Sequence, residues 1–267
     1  MKMSFGELTF DSSDGVSIAI PLEFNGAQAN AWDVSRATAI ATEAGDLVGD
    51  TRRGGSCNFE TYTLIPHCNG THTECVGHIT LERISVSDCL KESLMSAALV
   101  TVEPQCAGAV DESLTDMAVP TDLIVTAASV RNSLSLSTSD IPSAIVIRTI
   151  PNDDSKKTRL YDDDSAPYFS IDCIELLNEL GIRHLVCDLP SIDRMNDGGI
   201  LINHKSFWGI EKNSDRPDEK SMGKTITELA YIPDSLEDGI YVLDLQIPDF
   251  MADAAPSRPI LYRTNQK

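Results

Sequence analysis

Positive charge is scarce in this chain of 267 residues: 21 Lys and Arg stand against 41 Asp and Glu, for a formal net charge of −20. That balance repels a polyphosphate backbone, and no basic run exceeds Arg52-Arg53 or Lys156-Lys157, so nucleic acid is not an expected partner. Long apolar runs are also missing, which excludes a helical membrane span, and the opening Met1-Lys2-Met3-Ser4-Phe5-Gly6-Glu7 lacks the apolar core of a secretion signal. The seven cysteines, at 57, 68, 75, 89, 106, 173 and 187, are odd in number and include no Cys-x-x-Cys pair. A disulfide framework is therefore not expected, and a soluble protein of the reducing cytoplasm is. The acidic runs Asp153-Asp154 and Asp162-Asp163-Asp164 read as solvated loops rather than cation sites.

What is present fits an ordinary globular enzyme: 42% of the residues are hydrophobic, the length suffices for one large core, and no linker calls for a split, so a single domain over 1–267 is expected. Strands predominate in the pattern. Thr61 to Ile65, Ile79 to Ile84, Ala97 to Val102, Asp122 to Ala127, Ala144 to Ile150, Arg183 to Leu189 and Gly239 to Gln246 read as strands, most too uniformly apolar for a face open to water. Ile171 to Leu180 is the clearest helix, with Ser170 as N-cap and Gly181 as stop; Ser87 to Met95 is a second candidate. Segments 27–55 and 132–143 are hard to assign. The fold class expected from these elements is α/β with a mixed, curved sheet.

Of only five histidines, three fall in the run His67-Cys68-Asn69-Gly70-Thr71-His72-Thr73-Glu74-Cys75-Val76-Gly77-His78. Imidazole, thiolate and carboxylate are the ligands of divalent transition metals, so His72, Glu74 and either His67 or Cys68 can form one face of a metal site. In an extended chain the period of two places Cys68, His72, Glu74 and His78 on one side and His67 on the other, which favours Cys68 as ligand. A positive φ at Gly70 or Gly77 would break that alternation and reopen the choice.

The run Cys68 to His78, CNGTHTECVGH, resembles HxGTHxDxPxH, the signature of the cyclase family of metal-dependent hydrolases, which includes bacterial kynurenine formamidase (arylformamidase) and isatin hydrolase. Gly70, Thr71, His72 and His78 match; Glu74 replaces an aspartate, Cys68 stands at the first histidine, and Val76 replaces the proline. Further matches follow in order. Val186 to Asp193 resembles the family's GIDTPSxD turn, His204 lies where a later metal-binding histidine is expected, Ile226-Thr227-Glu228-Leu229 resembles the segment carrying a metal-binding glutamate, and Arg148-Thr149 matches a recurrent pair.

The resemblance implies a swivelling β/β/α architecture and two bridged divalent ions, Zn²⁺ with Mn²⁺ as the alternative. Cys68, His72 and Glu74 would hold the first; Glu74, His204 and Glu228 would hold the second; His78 would be the general acid/base. The implied reaction is hydrolysis of a non-peptide C–N bond in a small molecule, such as a formamide or cyclic amide, by a homo-oligomeric enzyme; lactone hydrolysis and lyase chemistry are the neighbouring alternatives. A different class of reading is a structural zinc site built from Cys68, Cys75, His72 and His78 in a non-catalytic protein. Trp32, Phe207 and Trp208 are candidate walls for an aryl group, Arg52 and Arg53 for steering an anion, while His184 and the remaining cysteines are expected to be structural.

Overall fold

The computed structural model describes residues 1–134, 141–161, 165–210 and 217–265. Its frame is a mixed sheet of strands β1 (Lys2–Phe5), β2 (Leu8–Asp11), β3 (Val16–Ser17), β4 (His72–Cys75), β5 (Leu94–Val102), β6 (Ala144–Thr149), β7 (His184–Cys187), β8 (Thr225–Glu228), β9 (Gly239–Asp244), β10 (Ala254–Pro256) and β11 (Ile260–Asn265). They lie in the order β1-β2-β11-β9-β5-β6-β7-β8-β4-β10, with β3 against β11. Strands β5 to β8 run parallel, and the flanking β9, β4 and β10 are antiparallel to their neighbours.

The parallel strands are apolar on both faces, as expected where both are covered. Val100, Val102, Ile145, Ile147, Leu185 and Cys187 join the core that receives helix α4 (Ile171–Glu179) and helix α5 (Ile202–Trp208). Ala97, Leu99, Ala144, Val146 and Val186 pack on the other side with Ile18, Ala230, Ile232 and Leu236. The alternation is the period of two written into each strand. Ser170 caps α4, its Oγ accepting from Cys173 N at 3.0 Å, and Gly181 leaves the helix at φ +74°, as its sequence predicts.

Several expectations change. Ile79 to Ile84 is a turn, not a strand, because the chain folds straight back onto Gly77, where a Cβ would stand 2.1 Å from the Ile84 carbonyl oxygen. The helix expected over Ser87 to Met95 is a single turn, Val86–Cys89, capped by Ser85, and the strand takes over at Leu94. Segments 27–55 and 60–63 form short two-stranded ribbons, of which Thr38–Ala41 with Glu60–Thr63 is the longest. Part of the segment 132–143, and Asp162 to Asp164, lie outside the described residues. Asp153 and Asp154 cap and ion-pair with Arg159 and Lys157 at the surface. Cys57 and Cys106 are exposed, unlike the other five cysteines, and among the described residues no helix is long and apolar enough to cross a membrane.

The close approach at Gly77 makes a direct prediction. Gly77→Ala drives a methyl group into backbone that cannot swing aside, so it is expected to cost about 1–3 kcal/mol or more of stability. Chemical denaturation of the variant beside the wild type measures it.

Candidate metal centre

The site forms where the parallel strands end. Thr149 closes β6, Asp188 follows β7 and Glu228 closes β8, so the cluster lies at their carboxyl ends, the usual place for a ligand in an α/β sheet. Antiparallel pairing sets His72 of β4 directly opposite Glu228 and Glu74 between Ile226 and Ala254. Thr71 fixes this register from below: its hydroxyl donates to the Leu229 carbonyl at 2.5 Å and accepts from Ile20 N at 2.8 Å. On the other face Thr73 and Thr227 share a hydroxyl hydrogen bond of 2.7 Å.

Glu74 is the centre of the arrangement. Its Oε1 lies 2.9 Å from His204 Nε2, and its Oε2 lies 2.9 Å from His67 Nδ1 and 3.9 Å from His78 Nε2. Glu228 Oε2 is 3.6 Å from His72 Nε2, and Glu228 Oε1 is 3.7 Å from His204 Nε2 while accepting from Ile192 N at 2.8 Å. Each inner imidazole is aimed by its other nitrogen. His72 Nδ1 meets the Gly70 carbonyl at 3.0 Å and His204 Nδ1 meets Asp193 Oδ2 at 2.6 Å, so both turn Nε2 inward, the outer-carboxylate or carbonyl arrangement of metal-binding histidines. Asp253, just ahead of β10, reaches His67 Nε2 at 3.0 Å and His78 Nδ1 at 3.5 Å.

Whether these residues fit a metal can be tested on their loose ends. His72 Nε2 and Glu74 Oε2 are buried without a hydrogen-bond partner, and His67 Nδ1 stands 2.9 Å from that Glu74 oxygen. A buried acceptor left unpaired costs about 1–3 kcal/mol, and a cation shared by these two atoms removes the cost at both. Two sets of ligand atoms converge closely enough to hold an ion: His72, Glu74 and Glu228, and His67, Glu74 and His78. The donor set fits a divalent metal.

Without a cation, protons hold the acids together. Burial opposes charge on His204, but Glu74 and Asp193 outweigh it and raise its pKa well above the usual value. His67 is likewise pushed up to about 10, burial again being overcome by Asp253 and Glu74. Burial raises the Glu74 carboxyl, yet the nearby His78, His204 and His67 bring it well below the ordinary range.

Of the residues read from sequence, His72, Glu74, His78, His204 and Glu228 are brought together; Cys68 falls outside both converging sets. Residues 66–69 form a helical turn rather than a strand, so the period of two does not reach back to Cys68. Neither Gly70 nor Gly77 uses the left-handed region; the turn alone breaks the alternation. Cys68 packs with Ile20, Ala31, Tyr161 and Leu229, and burial followed by the charge of Glu228 pushes its thiol up to about 11. Glu228 closes strand β8 and His204 lies on the helix Ile202–Trp208. Cys75 is buried with its Sγ on the Ile84 carbonyl, and no cysteine joins either set, so the Cys₂His₂ alternative is not assembled. Phe207 and Trp208 are core residues; the Trp208 ring lies 5.4 Å from that of His204 and backs it rather than lining an opening. Arg52 and Arg53 pair with Asp50 and Glu43 on an outlying ribbon. Arg148 braces the 233–238 loop through the carbonyls of Pro233 and Leu236, while Thr149 bonds Asp188, itself paired with Lys156. His184 is buried against Thr225 and lowered to about 4 by burial and Arg183.

The comparisons agree with this geometry. The family model described as "Putative cyclase" matches residues 16–194. The chain belongs to the cyclase family. Among solved structures it is similar to a predicted metal-dependent hydrolase from Bacillus stearothermophilus, at 16% identity and TM-score 0.56, covering 93% of this chain and 97% of that one. It is similar too to isatin hydrolase A from Labrenzia aggregata, at 16% identity and TM-score 0.59 with 94% of each chain covered. A third cyclase structure gives 13% identity and TM-score 0.59, over 93% of this chain and 86% of its own. No curated protein sequence matches. At these identities the structures establish the fold, a large mixed sheet with few helices, as expected for a cyclase.

The proton bookkeeping gives a prediction. An ion bound at Glu74 competes with the protons that the carboxylates hold on His204 and His67, so uptake releases protons at pH 7 and affinity tightens as pH rises toward about 10. The same raised pKa values stabilise the metal-free fold fully below about pH 6.5 and cease to do so as pH passes the folded values. Calorimetric metal titrations in buffers of differing ionisation enthalpy count the protons.

Proposed function

We propose that this cyclase-family chain is a metal-dependent hydrolase that cleaves a non-peptide C–N bond, a formamide or cyclic amide, in a small and preferably aromatic molecule. The observation that carries the reading is the convergence on one buried carboxylate, Glu74, of His72, His204 and Glu228 together with the partly exposed His78. Likeness in fold to isatin hydrolase, and to structures titled as metal-dependent hydrolases, supports it.

When bound, a divalent ion, Zn²⁺ or Mn²⁺, supplies the Lewis acidity that polarises a carbonyl and lowers the pKa of water from about 15.7 to roughly 7. His72, Glu74, Glu228 and His204 are the residues that would hold it, two of them already aimed by Gly70 and Asp193. His78 is placed for the proton transfers: it is partly exposed, and its two nitrogens face Glu74 and Asp253. It takes a proton from the attacking water as the C–O bond forms and gives it to the leaving nitrogen as the C–N bond breaks. Trp32, 40% exposed and anchored by its indole N–H to the Met195 carbonyl, is a candidate aromatic surface for a substrate ring.

Chelation is expected to abolish turnover of formamides or cyclic amides. His78→Ala should lose about 10²- to 10⁴-fold in kcat/KM while keeping its metal, the usual worth of a general acid/base. His72→Ala should lose metal and activity together. Steady-state kinetics with parallel metal analysis decide this, and full activity in either variant sinks the reading.

A further inference from the structure

We propose that His67, held by Asp253, completes the metal-binding set around Glu74, and that Cys68 takes no part. The inference rests on the metal-dependent reading above and changes which residue serves it. His67 sits on the short turn Pro66–Asn69, which rotates its side chain toward Glu74 and sends the neighbouring Cys68 into an apolar cluster with Ile20, Ala29, Ala31, Tyr161, Met195 and Leu229. Its Nδ1 is 2.9 Å from Glu74 Oε2, and with His78 these ligand atoms lie close enough together to face one cation.

The other ring nitrogen of His67 meets Asp253 Oδ2 at 3.0 Å. That pairing repeats the relation of Asp193 to His204: an outer carboxylate fixes the ring and turns the opposite nitrogen toward the inner acid. Asp253 is brought there by pairing of its own strand with β4, since Cys75 N donates to the Asp253 carbonyl at 3.0 Å and Ala254 lies opposite Glu74. The ring of His78 lies 4.3 Å from that of His67 at 30°, so one surface carboxylate holds both imidazoles in register.

Two departures from the family pattern then explain each other. The histidine at position 68 is replaced by cysteine, and the aspartate at position 74 by glutamate, which is one methylene longer. The longer arm carries the carboxylate outward to an imidazole supplied one residue earlier in the chain.

Cobalt(II) titrated into metal-free, full-length protein tests this without reference to activity. Bound Co²⁺ should show ligand-field bands in the visible and no thiolate-to-cobalt charge-transfer band in the near ultraviolet, and Cys68→Ser should leave spectrum and stoichiometry unchanged. Asp253→Asn should weaken Co²⁺ about 10- to 100-fold, the usual effect of removing an outer partner of a ligating histidine. His67→Ala should weaken it at least as much, with circular dichroism confirming the fold. A charge-transfer band that vanishes in Cys68→Ser, or unchanged affinity in folded His67→Ala, overturns the inference while leaving the metal-dependent reading intact. Failure of the wild type to bind Co²⁺ at all overturns both.

Discussion

A single buried carboxylate constrains this molecule. Glu74 has no exposure to solvent, and a carboxylate taken out of water is tolerated only where positive charge or hydrogen-bond donors surround it. Its two oxygens face opposite sets of imidazoles: His204 on the inner side, His67 and His78 on the outer. His67 and His78 come from turns within the same short run as Glu74, but His204 comes from a helix 130 residues away, so the inner oxygen is compensated only when the fold closes. The antiparallel strands β8 and β10 on either side of β4 are what bring Glu228 and Asp253 to the same carboxylate.

Much of this was legible in the chain. The apolar strands β5, β6, β7 and β9 and helix α4 follow from uniform hydrophobicity, an N-cap serine and a stopping glycine, signals carried by adjacent residues. His72 and Glu74 share a strand face, as the period of two requires, and the Gly-Thr-His core identified the family before any contact was known. The elements that sequence misassigned are those decided at a distance. Glu228 is itself a good helix former but lies on a strand because Thr225 to Glu228 complete the sheet between His184 to Val186 and β4. Ile79 to Ile84 has the apolarity of a strand yet turns back, because Gly77 lets the Ile84 backbone approach where any side chain would stand.

Asp253 and Asp193 were invisible as site residues for a related reason. Asp253 is separated by 186 residues from the histidine it binds, in a loop with no pattern of its own, and only strand pairing delivers it. Asp193 sat within a recognised motif, but its purpose shows only when His204 Nδ1 is found 2.6 Å away. Sequence patterns report groups that line up along one element; they do not report the outer partner that aims a ring from another.

The choice between thiolate and imidazole bears on the chemistry as well as the geometry. A thiolate at Cys68 would add a third negative charge to Glu74 and Glu228 and so blunt the acidity that a bound ion confers on water. To ligate, it would also have to lose a proton that burial and Glu228 hold on up to a pKa of about 11. A neutral imidazole adds no charge to the inner shell, and the negative charge that aims it stays on Asp253, one ring farther out and a quarter exposed to water. With His67 as the proposed ligand, the arrangement would keep ligand number without surrendering electrophilicity. It also places a solvent-facing carboxylate beside His78, giving that ring a polar contact toward water as well as one toward the buried acid. On the proposed mechanism, a residue that accepts a proton from water and passes it to a leaving nitrogen would need both.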